Sequence, residues 1–108
     1  MLEVQLDEVY ATILEPFQAS VEEAVRSYAL EKAQARLWEL EQNVQRWEEK
    51  YGCSYDLFSY RTATDAEYVT ALDADPATQQ WEGDSIAWEF DEQVLREWRQ
   101  RLQKLLSM

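Results

Sequence analysis

Carboxylates are the only side chains in this sequence abundant enough to suggest chemistry. Asp73-x-Asp75 and Glu82-x-Asp84 each place two acids two residues apart, a spacing that could touch a hard cation. Neither pair sits in the loop spacing of an EF-hand, and acid pairs arise readily in so acidic a stretch. The chain has no histidine, so the commonest general base and the commonest zinc ligand are missing. Its one cysteine, Cys53, has no second thiol to pair with and no imidazole to activate it. Two glycines in all leave nothing to build a phosphate-cradling loop. No catalytic residue, metal or cofactor is expected, which leaves interaction with another protein as the expected role.

The acids are unevenly placed. The net charge is −12, with 22 acids against 10 bases. Residues 1–29 carry −5, residues 30–52 carry −1, residues 53–92 carry −9 and residues 93–108 carry +3. Such a chain repels phosphate backbones, so direct nucleic-acid binding is not expected. It is drawn instead toward a basic protein partner. No apolar run is long enough for a bilayer, and the chain reads as soluble and cytoplasmic.

The elements that must carry these residues are mostly helical. At 46% apolar residues, with five Trp, six Tyr and three Phe, the chain is too apolar to stay disordered. Leu2, Val4 and Leu6 alternate with polar residues, which predicts a short strand over 2–6. A helix over about 8–15 follows, ended or kinked by Pro16. Ser20 and Glu23 form a capping box and predict a long helix from Val21 to Gly52. Its inward positions run Val21, Val25, Ala29 and Ala33, then Leu37, Leu40, Val44, Trp47 and Tyr51 in heptad spacing. Gly52 stands where a left-handed helix cap belongs.

Beyond Gly52 the spacing predicts short helices capped by Ser54 and by Thr64 or Asp65. Asp75-Pro76 predicts a further helix start, and Gly83-Asp84-Ser85 a break. A last helix is expected over about 85–106, with Ala87, Phe90, Val94, Trp98, Leu102 and Leu105 on one face. The expected fold is therefore all-α and elongated. A long central heptad helix carries shorter helices, with an N-terminal strand of ribbon-helix-helix type. Two regions divide it: 1–52, the N-terminal element and the long dimerising helix, and 53–108, the acidic aromatic segment with the last helix. A homodimer is expected through a seam of Leu30, Ala33, Leu37, Leu40, Val44, Trp47 and Tyr51. In a ribbon-helix-helix frame the strand would offer Glu3, Gln5 and Asp7 to DNA, and two acids of three argue against that use.

The stretch SVEEAVRSYALEKAQARLWELEQNVQRWEEKYGCSYDLF, together with WEGDSIAWEFDEQVLREWRQRLQKLL, resembles small prokaryotic proteins encoded beside putative toxins of the TumE type. The matching residues are Ser20, Glu22, Glu23, Lys50, Tyr51, Gly52, Ser54 and Phe58, then Trp81, Glu82, Trp88 and Glu89. The resemblance covers about residues 20–60 and, more loosely, 81–106. It implies an antitoxin that neutralises a small basic toxin by binding and occluding it. The partner surface expected on that basis comprises Tyr55, Phe58, Tyr60, Tyr68, Asp73, Asp75, Trp81, Glu82, Asp84, Trp88 and Phe90. Aromatics would supply contact area and acids would mimic phosphates. The competing structural reading packs these aromatics back onto Trp47 and the last helix. The alternative functions are a self-associating coiled-coil adaptor and, less favoured, a transcriptional regulator.

Overall fold

A computed structural model describes the backbone of residues 2–108 and the side chains of residues 18–108. Four helices follow in order: α1 (Leu2–Tyr51), α2 (Tyr55–Thr64), α3 (Ala66–Ala74) and α4 (Trp81–Leu106). There is no strand among the described residues. The molecule is a rod of 84 × 21 × 18 Å. α1 sets that length, because 50 residues at 1.5 Å each span ~75 Å.

The N-terminal strand is the first correction. Residues 2–6 are the opening turns of α1, not a ribbon. A five-residue alternation has no ladder partner here, whereas a helix satisfies its backbone groups within itself. Leu2 and Leu6 also suit the helical period. Pro16 lies inside α1 instead of ending it; its missing N–H is a local penalty of about 3 kcal/mol. Ser20 likewise lies within the helix, so its capping box with Glu23 starts nothing. A cap serves the orphan amides of a first turn, and here the preceding turns supply the carbonyls.

The stop at Gly52 is as the sequence predicts. Gly52 has φ +70°, and its N–H reaches the Glu48 carbonyl at 2.7 Å. The chain reverses there. Ser54 caps α2 by accepting the Leu57 amide at 3.3 Å, and Asp65 caps α3 by accepting the Tyr68 amide at 3.1 Å.

Asp75-Pro76 does not begin a helix. Asp75 instead ends α3, and its carboxylate accepts the Ala77 amide at 2.9 Å in an Asx turn. Thr78 donates its hydroxyl to the Leu72 carbonyl at 2.9 Å, which ties this turn to α3. α4 then starts at Trp81, and the expected break at Gly83 lies within it. The polar Gly-Asp-Ser run reads as a loop only when Asp84 is taken as exposed; it faces α1.

α4 runs back antiparallel along α1. Ala33, Leu37, Leu40 and Val44 are buried on α1, and Leu95 is buried opposite them with Val94, Trp98 and Leu102 beside it. A second core lies at the Gly52 end, where Phe58, Leu72 and Trp88 are buried under α2 and α3. The inward row of α4 is Trp81, Asp84, Trp88, Asp91, Leu95, Trp98, Leu102 and Leu105, a regular heptad with acids at two seam positions. The expected face through Ala87 and Phe90 matches this row only from Trp98 onward. Nearer the start of α4 those two residues are exposed.

Candidate protein-interaction surface

The two acids in the α4 seam meet polar aromatics on α1. Trp47 donates its indole N–H to Asp91 at 2.8 Å. Tyr51 donates its hydroxyl to Asp84 at 2.6 Å, and Lys50 donates to the same carboxylate oxygen at 2.7 Å. Burial pushes the Asp84 carboxyl up. The hydrogen bonds from Lys50 and Tyr51, with the charge of Lys50, outweigh that and hold it below its usual range. Burial, then the adjacent Asp84, raises the Tyr51 phenol well above its ordinary value.

Around Trp88 the aromatics form one cluster. Phe58 lies 5.2 Å from it centroid to centroid, Tyr55 5.4 Å, Tyr51 5.7 Å and Trp47 6.5 Å. Tyr68 and Trp81 meet Phe58 edge-on at 6.4 and 6.3 Å. Trp81 also donates its indole N–H to Asp73 at 2.8 Å. Cys53 packs against this cluster, and burial raises its thiol. The partly buried Tyr68 phenol is raised too, chiefly by burial, with Arg61 pulling the other way.

This arrangement divides the expected partner surface. Phe58 and Trp88 are 0% exposed, so they are core and present nothing to a partner. That corrects the surface expectation for both: each fills the space between α1 and the α2–α3 pair. Tyr55, Tyr68 and Trp81 are half-buried on the same cluster, as the packing alternative has it. Asp84 and Asp73 are committed to Tyr51, Lys50 and Trp81. Tyr60, Asp73, Asp75, Glu82 and Phe90 are exposed. In the expected dimer seam, Ala33, Leu37, Leu40 and Val44 are covered by α4 of the same chain, while Leu30, Trp47 and Tyr51 are half-buried. Among the described residues no group of three or more His, Cys, Asp or Glu could hold a metal ion. None of the described helices is long and apolar enough to cross a membrane.

One surface residue, Ile86, is missing from the partner surface expected from the sequence, which names Phe90 and Glu82. Ile86 and Phe90, one turn apart on α4, are 72% and 64% exposed. Glu82 and Glu89 are exposed beside them. With the heptad of α4 phased on Trp81, Asp84 and Trp88, Ile86 falls outside; the signal was present, but two acids at inward positions obscured it.

No family model matches the chain, and no curated protein or solved structure matches it.

Proposed function

We propose that this chain is a protein-interaction module of the antitoxin kind, which docks on a small basic protein with the outer face of α4. The observation that carries the reading is the exposed Ile86–Phe90 pair, with Glu82 and Glu89 exposed within one turn of Ile86 on the same helix. Apolar side chains four apart on a helix form one contact strip, the pattern of a helix laid in a groove. The acids around the strip steer a basic partner and exclude an acidic one. Helix α4 is rigid before binding, because the α1 seam and the Trp88 cluster hold its other side. Little ordering cost remains to be met on association.

The test is capture from cells that carry the gene, using the intact chain and an Ile86→Asp, Phe90→Asp variant. A stoichiometric basic partner should be retained by the first, lost by the second and released by high salt. Expression of that partner alone should arrest growth, and co-expression of this chain should restore it. Equal retention by both chains removes α4 as the docking face. A harmless partner removes the antitoxin reading. Residues 2–6, the strand a ribbon-helix-helix regulator would use, are helical, which favours the interaction reading over the regulator alternative.

A further inference from the structure

The exposed face of α4 continues past Phe90. At 3.6 residues per turn, Phe90, Gln93, Glu97, Arg101 and Lys104 all lie within about 60° of Ile86 around the helix. Each is exposed, and so are Glu82 and Glu89 in the same sector. The first half of this face sets acids around two apolar side chains, and the second half ends in two bases. Among the described residues no acid lies within ion-pair distance of Arg101 or Lys104. Arg101 rests over the Trp98 ring at 4.8 Å instead.

We propose that this face of α4 pairs with the same face of a second copy, antiparallel, across a twofold axis at the level of Leu95. In that register Ile86 meets Lys104 of the other copy, Glu89 meets Arg101, and Gln93 meets Glu97. Each contact occurs twice, and the assembly closes at two chains. The methylene stems of Lys104 and Arg101 cover Ile86 and Phe90, while their charged heads reach toward Glu82 and Glu89. Charge selects both the occupant and the direction. The chain as a whole carries −12 and repels its own copies over most of its surface. This face holds three acids against two bases, a net of −1, with the two signs at opposite ends. An antiparallel pair sets each acidic half on a basic half; a parallel pair sets like on like. The contact from residue 86 to residue 104 is only ~27 Å long. Its area falls at the small end of specific interfaces, so the dissociation constant should be on the order of 0.1 mM. The pairing covers the strip that the proposed function gives to a basic partner, so a second copy and that partner exclude each other. That consequence rests on the proposed function; the pairing does not.

The test is sedimentation equilibrium of the chain alone, from about 10 μM to about 1 mM, a range that brackets the expected constant. The mass should rise from one chain toward two. Arg101→Glu with Lys104→Glu should weaken pairing about tenfold or more, and so should Glu82→Lys with Glu89→Lys. All four positions are exposed, so far-UV dichroism should match the native chain. Combining the four substitutions exchanges the charges between the halves and should restore pairing to within about threefold of native, which a loss of fold would not do. A native chain that keeps the mass of one chain at the highest concentration overturns the proposal. So does undiminished pairing in Arg101→Glu with Lys104→Glu, or no recovery in the exchanged chain. No partner enters these measurements, so a chain that captures a basic protein yet never pairs removes this proposal and leaves the proposed function standing.

Discussion

Trp47 on α1 and Asp91 on α4 are joined at 2.8 Å across 44 residues of sequence. Nearer the turn, four residues on along α1 and seven back along α4, Tyr51 and Asp84 repeat the arrangement at 2.6 Å. At both places the donor is a large aromatic on α1 and the acceptor is an acid on α4. An antiparallel helix pair held by apolar residues alone can slide. Here a slip by one heptad would bring one of the two acids, which are seven residues apart, opposite only one of the donors and leave the other unpaired, at a cost of about 1–3 kcal/mol. The two pairs therefore fix register as well as contact.

The Tyr51–Asp84 pair makes stability depend on pH at both extremes. The folded Asp84 carboxyl lies below its unfolded value of 3.8. Its contribution is full above that value and is lost as pH falls through the lower folded one. The folded Tyr51 phenol lies above its unfolded value of 10.0. Its contribution is present below pH 10.0 and declines as pH rises toward the folded value. Denaturant melts across pH should show the acid decline reduced in Asp84→Asn and the alkaline decline reduced in Tyr51→Phe. At neutral pH, Tyr51→Phe should cost about 1.5–3 kcal/mol, as expected for a hydrogen bond to a charged group.

Phe58 and Tyr60 lie two residues apart on α2 and should behave oppositely. Phe58 is fully buried against Trp88, and Phe58→Ala should cost about 3–5 kcal/mol. Tyr60 is 65% exposed, and Tyr60→Ala should stay within about 0.5 kcal/mol of the native chain. Urea unfolding measures both; equal losses would contradict the placement of α2.

Leu40 separates a fold defect from an assembly defect. It is 1% exposed beneath α4 of its own chain. Leu40→Glu should therefore lower the melting temperature sharply. A change of mass with an unaltered melt would mean that α4 does not cover it in solution. Ile86→Asp, on the outer face, should leave the melt unchanged.

Gly52 has open space around it, so its constraint is backbone alone. At φ +70° a Cβ brings the left-handed penalty, and Gly52→Ala should cost about 1–2 kcal/mol. Gly83, inside α4, also has open space. Gly83→Ala should instead stabilise by about 0.5–1 kcal/mol through helix propensity.

The local signals in this sequence were enough for the heptad from Leu37 to Tyr51, the left-handed stop at Gly52, the cap at Ser54 and a further cap at Thr64 or Asp65, of which the fold uses Asp65. Each depends on spacing or on one residue's backbone preference, and neighbours in sequence decide it. Tertiary structure decided the rest. Ser20 and Pro16 carry end-of-helix chemistry, yet α1 runs through both. Leu2, Val4 and Leu6 alternate like a strand but have no ladder to join. Which side of α4 turns inward depended on Trp47 and Tyr51 meeting Asp91 and Asp84. Composition marks those acids as surface, and only partners from a distant helix make burying them favourable. The same contacts drew Phe58 and Trp88 into the core and left Ile86 and Phe90 outside.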